Sequence, residues 1–141
     1  MKNKITIGRT DKIDLPDFEI FDVNAKIDTG AYTSAIHCIR INLIDGILHF
    51  QIPGLMDHQV LKDFTTNIYT TKRVRSSNGK TETRYSIKTH VLLFGHLYYE
   101  EFTLTDRSKM KNPILLGRKV LRNRFVVDVS KKNLSFNLKY Q

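Results

Sequence analysis

The chain of 141 residues is 40% hydrophobic and 26% charged, which is typical of a globular protein and leads us to treat 1–141 as a single domain. Its single cysteine, Cys38, excludes an intramolecular disulfide framework and favours a reducing compartment. No segment approaches the roughly 18 apolar residues of a membrane span, and no apolar signal core follows the first residues. We therefore expect a cytoplasmic protein that makes no membrane contact.

Positive charge is concentrated in two segments. The 23 Lys and Arg outnumber the 14 Asp and Glu, for a net charge of +9. Residues 107–124 carry seven basic residues and no acidic one, and residues 62–90 carry seven basic residues and two acidic ones. Such segments favour an anionic partner, namely nucleic acid, an acidic membrane surface or an acidic substrate. A basic surface that only promotes solubility gives the same pattern.

Hydrophobic alternation predicts short strands along most of the chain, separated by turn signals such as Asp45-Gly46 and Ser76-Ser77-Asn78-Gly79. The strands are expected at 18–21, 25–28, 35–44, 47–52, 70–75, 82–94, 97–104, 113–116, 125–128 and 134–138. A short helix is expected at 117–123. Many short strands with one late helix indicate an all-β barrel or sandwich.

The segment most informative about chemistry is Ala25-Lys26-Ile27-Asp28-Thr29-Gly30-Ala31. A hydrophobic strand ends in Asp28, and Gly30 permits a tight turn that presents the carboxylate. Backbone amides after the turn can donate to that carboxylate, and the Thr29 hydroxyl can bond a neighbouring backbone group and fix the loop. An ordinary turn at the end of a strand uses the same residue types, so a second element is needed to tell the two apart.

That second element is Leu115-Leu116-Gly117-Arg118, in a strand that leads into the predicted helix. A strand of this kind can pack behind the loop that carries Asp28. Together the two motifs resemble those of the retropepsin-like aspartic proteases, which pair an early Asp-Thr-Gly-Ala with a late Ile-Ile-Gly-Arg type of sequence and a short helix. The resemblance implies a closed barrel of retropepsin type, with Asp28, Thr29 and Gly30 as catalytic residues and a hairpin flap around 76–80.

One bacterial branch of that fold is more closely similar. Its early motif resembles 27–31 with Thr33-Ser34-Ala35, its middle motif 76–79 with Arg84-Tyr85, and its late motif 104–108 leading into 113–118, so the resemblance covers about residues 20–130. Members carry the label ATP-dependent zinc protease and often neighbour ATP-grasp ligases that add glutamates to a small-subunit ribosomal protein. The resemblance therefore implies a peptidase acting on acidic or glutamyl-tailed peptides or proteins, a ribosomal protein tail among them.

The residues of the chain argue against the ATP and zinc of that label. The Gly-x4-Gly-Lys-Ser/Thr string of a P-loop and the His-Glu-x-x-His string of a zincin are both absent from the sequence. Adjacent His37 and Cys38 would point to opposite faces of a strand and so do not readily share a metal ion. We therefore expect no metal and no cofactor.

Aspartic peptidases need two carboxyl groups that share a proton, and this chain has one Asp-Thr-Gly. The resemblance implies a two-fold homodimer in which each copy contributes one Asp28. In retropepsins an acidic residue often follows Asp-Thr-Gly-Ala and pairs with the arginine of the Gly-Arg step, but here that residue is Tyr32. Arg118 is then available for a substrate carboxylate, for which its planar fork is suited. The other residues expected to bind substrate are Ala31 in the loop, Ser77, Asn78 and Gly79 in the flap, and Arg73 and Arg84 beside it.

Two other functions stay open at the level of sequence. The first is a basic β-barrel that binds nucleic acid, although the aromatic residues form no recognisable stacking motif and Asp28 would then have no role. The second is a retropepsin fold that binds an acidic protein without cleaving it. Because the Asp-Thr-Gly is intact, we favour a peptidase and expect nucleic acid not to be the partner.

Overall fold

The computed structural model of the chain describes residues 3–53, 61–75, 78–106 and 111–141, most of which lie in β-strands. The strands are β1 Ile5–Ile7, β2 Thr10–Leu15, β3 Ile20–Ile27, β4 Ser34–His37, β5 Ile39–Ile44, β6 Ile47–Pro53, β7 Leu61–Thr66, β8 Thr70–Arg75, β9 Thr81–Leu93, β10 His96–Thr105, β11 Ile114–Leu116 and β12 Phe125–Val127. A 3-10 turn lies at Pro16–Phe18, and helices lie at Arg118–Leu121 (α1) and Leu134–Lys139 (α2). Within the described ranges, no helix has the length and apolar character needed to cross a lipid bilayer.

Six strands form a closed barrel. They lie in the order β10, β4, β11, β3, β2 and β9, and the pairing of β9 with β10 closes the ring. The pairs β10–β4 and β11–β3 are parallel, and the other neighbours in the ring are antiparallel. The first half of β9 pairs instead with β8 and forms a hairpin that extends from the ring. The expected all-β closed barrel is therefore confirmed.

The barrel interior is filled by inward-facing side chains, because residues two apart in a strand share a face. In β3, Val23, Ala25 and Ile27 are buried, while the residues between them face outward. The largest fully buried side chains of the ring strands include Phe102, Ile13, Leu15, Ile36, Leu93, Ile114 and Leu116. Burial of each contributes roughly 1.5–3 kcal/mol. The strands that lead into the Asp28 and Gly117 motifs therefore rest on a packed core.

A separate antiparallel sheet of β5, β6 and β7 lies beside the barrel. The rings of Phe50 and Phe64 in this sheet stack with centroids 5.7 Å apart, and Phe18 packs edge-on against both. A cavity of about 530 Å³ is lined by residues of β6, β7, β9 and β10. The sheet is therefore joined to the barrel through aromatic contacts around this cavity.

In two regions the chain divides into strands differently from the prediction. The segments 18–21 and 25–28 belong to a 3-10 turn and one strand, β3, in which Asp22 has a φ of 54° next to a register shift against β2. Such a bulge interrupts the alternation without ending the strand. The single strand expected at 35–44 is two strands, because the chain leaves the barrel at Cys38 and β5 enters the separate sheet.

The strand predicted at 134–138 is wrong, since this segment is the helix α2. The buried carboxylate of Asp11 accepts the N–H groups of Ser135 at 3.0 Å and Phe136 at 3.1 Å. The rings of Phe136 and Tyr140, four residues apart, lie 4.8 Å from each other, which helical spacing brings about. The cap comes from a residue 124 positions away, so the local alternation does not contain it. The fold accordingly has a second short helix beyond the one expected at 117–123.

Strands β1, β2 and β7 have no counterpart among the predicted elements. In β2 the reason is polarity, because Asp11 and Asp14 make the segment resemble a loop. Both side chains are nevertheless buried. The carboxylate of Asp14 accepts hydrogen bonds from the Asp22 N–H and from Lys139 Nζ, each at 2.8 Å. These partners from distant parts of the chain offset the cost of burying a charge.

Candidate active site

The Asp28 loop follows the last residue of β3. The N–H of Asp28 donates to the Leu116 carbonyl of β11 at 2.9 Å, so the residue is still held by the sheet. Its Oδ1 accepts the Gly30 N–H at 3.0 Å, and its carbonyl accepts the Ala31 N–H at 3.2 Å. These bonds close a tight turn in which the Asp28 side chain is 26% exposed, and Thr29 and Gly30 are exposed as well. The loop therefore exposes a carboxylate to solvent while hydrogen bonds hold its backbone in place.

The strand β11 and the helix α1 pack directly behind this loop. The buried Ser34 Oγ accepts the Gly117 N–H at 3.0 Å, and the Ala31 carbonyl accepts the Arg118 N–H at 2.8 Å. A Cβ on Gly117 would lie 2.7 Å from the Thr33 carbonyl oxygen and 2.9 Å from that of Ala31. Glycine at 117 therefore allows the start of α1 to donate its otherwise unpaired N–H groups to the loop. The packing predicted from the two motifs is confirmed, and Ser34 is a partner that sequence reasoning missed.

Arg118 is a predicted substrate-binding residue whose side chain lies at the Asp28 loop. Its Nη1 donates to the Thr29 carbonyl at 2.9 Å, and its guanidinium lies 5.7 Å from the centroid of the Tyr32 ring. The bond to Thr29 uses one of the five N–H groups of a guanidinium. Arg118 is exposed, and the group it bonds in the loop is a neutral carbonyl. This hydrogen bond therefore leaves the positive charge of the guanidinium in place beside the loop.

Lys26 is a charged neighbour of Asp28 to which sequence reasoning gave no role. It lies on β3 with its side chain 47% exposed, and its Nζ is 3.8 Å from Asp28 Oδ2. The signal was present in the strand pattern, because Lys26 and Asp28 are two residues apart and therefore share a face. Asp28 thus has a cation from its own strand within ion-pair distance.

A half-buried carboxylate connects α1 to the β8–β9 hairpin. Glu101 of β10 accepts a hydrogen bond from Lys119 of α1 at 2.7 Å and lies 3.6 Å from Lys72 Nζ of β8. Burial alone would raise the pKa of Glu101, but the hydrogen bond from Lys119 and the charges of Lys119 and Lys72 hold that pKa below its ordinary value. The same hydrogen bond raises the pKa of Lys119. Lys119 Nζ also lies 5.7 Å from the Tyr32 ring, so the ion pairs join the base of the hairpin to the segment that follows the Asp28 loop.

Ala31 lies in the Asp28 loop, whereas the predicted substrate-binding residues Asn78, Gly79, Arg73 and Arg84 belong to the β8–β9 hairpin. At its turn, Gly79 has a φ of +85°, and Asn78 Oδ1 accepts the Lys80 N–H at 3.1 Å. Arg84 is paired with Glu82 of the same strand, and Arg73 is exposed. Ser77 and residue 107 onward in the motif at 104–108 lie outside the described residues. A role of the hairpin residues in substrate binding stays a prediction.

Other reactive groups lie apart from this loop. Burial raises the pKa of the Cys38 thiol well above its usual range, which makes the thiol a poor nucleophile. Among residues 3–53, 61–75, 78–106 and 111–141, no three His, Cys, Asp or Glu side chains are grouped as metal ligands would be. The described residues that bear chemistry at Asp28 are therefore one carboxylate and two nearby cations, Lys26 and Arg118.

The chain that carries this loop and the glycine-arginine step behind it matches a known family. A family model described as retropepsin-like aspartic endopeptidase RimB matches residues 6–137. The chain belongs to this RimB-like family. The match runs from β1 to α2 and includes the Asp28 loop and Arg118, so the resemblance to retropepsin-like proteases inferred from the motifs is confirmed.

Relatives of the RimB-like chain include much longer proteins. One from Shewanella halifaxensis, named probable alpha-L-glutamate ligase, is 30% identical over 133 residues that cover 91% of this chain and 29% of the relative. A protein of the same name from Parasynechococcus marenigrum is 31% identical over 133 residues, covering 91% of this chain and 28% of the relative. The chain thus spans less than a third of the length of these curated relatives.

The fold also has a counterpart among solved structures. A crystal structure of a Legionella pneumophila protein of unknown function matches this chain with a TM-score of 0.76 and 22% sequence identity. The match covers 94% of this chain and 99% of that one. At this level of identity the likeness concerns the fold alone.

Proposed function

We propose that the protein is an aspartic peptidase whose catalytic pair is formed by Asp28 from two copies of the chain. The observation that carries the proposal is the Asp28 loop, in which a turn fixed from behind by β11 and α1 holds a carboxylate at the surface. Membership in a family described as aspartic endopeptidases supports the same reaction. The loop carries one carboxylate, and its exposed Thr29 and Gly30 leave room for a two-fold contact with a second loop.

The reaction follows from two carboxyl groups that share one proton. The ionised carboxylate removes a proton from a water molecule while the water oxygen attacks the carbonyl carbon of the peptide bond. The protonated carboxyl group donates a hydrogen bond to the carbonyl oxygen and stabilises the negative charge that develops there. When the tetrahedral intermediate collapses, the C–N bond breaks and a proton passes to the departing nitrogen, which gives a carboxylic acid and an amine. One Asp28 cannot act as base and acid in the same step, so the mechanism needs the pair.

Acidic peptides are the substrate class that the charges support best. The chain has a net charge of +9, and the positively charged side chains of Arg118 and Lys26 both lie at the Asp28 loop. The relatives named probable alpha-L-glutamate ligase contain a segment similar to this chain. Ligation of glutamate to a peptide produces an acidic tail, and hydrolysis of such a tail is the reverse change. We therefore propose glutamyl-tailed peptides or proteins as substrates.

The central test replaces Asp28 by Asn and measures cleavage of a glutamyl-tailed peptide by mass spectrometry. Asn keeps the size of the side chain but cannot exchange a proton as a carboxyl group does, so we expect activity to fall at least about a thousandfold. Asp45→Asn is the matched control, because Asp45 lies in a turn at a φ of 50°, which asparagine tolerates. If Asp28→Asn retains activity, the aspartic mechanism is wrong.

A second pair of measurements addresses the dimer and the substrate class. Sedimentation equilibrium should detect dimer at micromolar concentration, and a chain that is active but wholly monomeric would contradict the shared pair. Glutamyl peptides should be cleaved faster than their glutamine analogues, and the advantage should shrink as salt screens the charges. Equal rates on the two peptides would rule out recognition of acidic side chains.

A further inference from the structure

We infer that Lys26 selects substrates with an acidic side chain next to the bond that is cut, an inference that rests on the proposed peptidase function. Lys26 lies on β3 two residues before Asp28, which follows the end of that strand, so the period of two places both side chains on the same face. Its Nζ is 3.8 Å from Asp28 Oδ2, and its side chain is 47% exposed. A lysine ammonium is a point charge on a flexible stem, so it can move from the Asp28 carboxylate to another anion nearby.

The reach of Lys26 limits which substrate residue it can contact. An extended peptide advances by about 3.3 Å per residue. A charge 3.8 Å from Asp28 Oδ2 therefore lies within roughly one residue of the peptide bond that the water activated by Asp28 attacks. The side chains it can meet are those of the two residues that this bond joins. Glutamate there forms a charge-assisted hydrogen bond with the ammonium, glutamine forms a weaker one, and lysine is repelled.

The charge balance at the paired site favours an anionic substrate. Two Asp28 carboxyl groups that share a proton carry one negative charge. The two Lys26 ammonium groups carry two positive charges, which leaves one positive charge unbalanced. The Arg118 guanidinium adds to this excess, because its partner in the loop is the neutral Thr29 carbonyl. An acidic side chain on the substrate lowers this excess, whereas a neutral side chain leaves it unchanged.

A lysine that merely holds Asp28 in place would behave differently. Its loss would lower kcat for every substrate by the same factor, since the carboxylate would be misplaced whichever peptide is bound. A lysine that selects an acidic side chain changes the ratio of glutamate to glutamine peptides instead. The two roles are therefore separated by comparing matched peptides rather than by activity alone.

The experiment uses Lys26→Met, which keeps the length of the side chain and removes its charge, together with Lys26→Arg, which keeps the charge. Lys132→Met is the control, since Lys132 is an exposed lysine in the segment between β12 and α2. Two peptides are compared that differ only in Glu or Gln next to the cut. We expect Lys26→Met to lower the Glu-to-Gln ratio of kcat/KM by about tenfold, mainly through KM, the size expected for one charge-assisted hydrogen bond. Lys26→Arg and the control should keep the ratio.

A binding measurement tests Lys26 separately from hydrolysis. In the Asp28→Asn background no cleavage is expected, and Lys26 loses its carboxylate partner, so a labelled Glu peptide should bind more tightly than the Gln peptide by fluorescence anisotropy. Adding Lys26→Met should make the two affinities equal. The role of Lys26 is overturned if the double variant still binds the Glu peptide more tightly than the Gln peptide. It is also overturned if Asp28→Asn alone binds the two peptides equally. Hydrolysis that survives Asp28→Asn would instead overturn the proposed peptidase mechanism and leave the binding result to decide on Lys26.

Discussion

Replacement of Gly117 by alanine should loosen the Asp28 loop from behind. Gly117 has φ and ψ of −95° and −176°, an extended backbone that alanine also adopts, so the change introduces no backbone strain. The new Cβ would, however, lie 2.7 Å from the Thr33 carbonyl oxygen and 2.9 Å from that of Ala31. Both contacts are with backbone atoms, which no side-chain rotation can relieve.

The magnitude follows from opposing effects on the free energy of unfolding. Alanine reduces the entropy of the unfolded chain, which stabilises the protein by about 0.4–1 kcal/mol. Overpacking against fixed atoms costs about 1–3 kcal/mol, and displacement of the loop weakens the Arg118 N–H bond to Ala31, worth about 1 kcal/mol. The steric effect wins, so we expect a net destabilisation of roughly 2 kcal/mol and a fall in Tm of about 6 °C.

Urea unfolding and hydrogen exchange together test this reasoning. Gly79→Ala is the comparison, because Gly79 has a φ of +85° with open space around it, so its cost of about 1 kcal/mol comes from the backbone alone. Only Gly117→Ala should speed exchange at the Arg118 and Lys119 amides, which donate to the loop. A Gly117→Ala protein within about 0.5 kcal/mol of the parent, with those amides still protected, would refute the reasoning.

Three further predictions concern other parts of the fold. Asp11→Ala should destabilise the protein by about 1–2 kcal/mol in thermal unfolding, because two N–H groups of α2 lose their cap. Glu101→Gln should destabilise it by roughly 1 kcal/mol at pH 7 in urea. Because the folded-state pKa of Glu101 lies below its ordinary value of 4.5, this difference is present above pH 4.5 and lost as pH falls through the lower value. Cys38 should react with iodoacetamide at pH 8 at least about a hundredfold more slowly in the folded protein than in urea, since burial raises the pKa of its thiol.

Each of these three predictions has a control variant or a result that would contradict it. Asp11→Asn retains one acceptor oxygen, so it should cost less than Asp11→Ala, and equal losses would argue against the capping role. A Glu101→Gln effect that is unchanged at pH 3 would mean that the ionised carboxylate does not cause it. Alkylation of Cys38 at similar rates with and without urea would show that the thiol is accessible in the folded state.

Much of the site was predictable because its motifs are local. Ile27 ends an alternating strand, and Asp28 and Gly30 close their turn through bonds spanning two and three residues. The fold class followed for the same reason, since alternation and turn residues operate over a few positions. Even the position of Lys26 beside Asp28 could have been predicted, because side chains two residues apart in a strand share a face.

The ion pairs around Glu101 show what the sequence does not contain. Lys72, Glu101 and Lys119 lie on β8, β10 and α1, and nothing in the spacing of these residues marks them as partners. The same applies to Arg84, which the sequence predicts to bind substrate and which the structure pairs with Glu82. Which charges are neutralised depends on how strands from different parts of the chain are brought together.

The sequence by itself determined the all-β class of this basic chain, the Asp28 turn and the glycine-arginine step after a hydrophobic strand. Only the tertiary structure decided that 134–138 is a helix, that Asp11 is buried beneath it, and that Arg118 bonds to the neutral Thr29 carbonyl at the loop. The physical reason is the distance along the chain over which each interaction acts. Alternation and tight turns arise from neighbouring residues, whereas a cap supplied across 124 positions exists only once the barrel has brought its partners together.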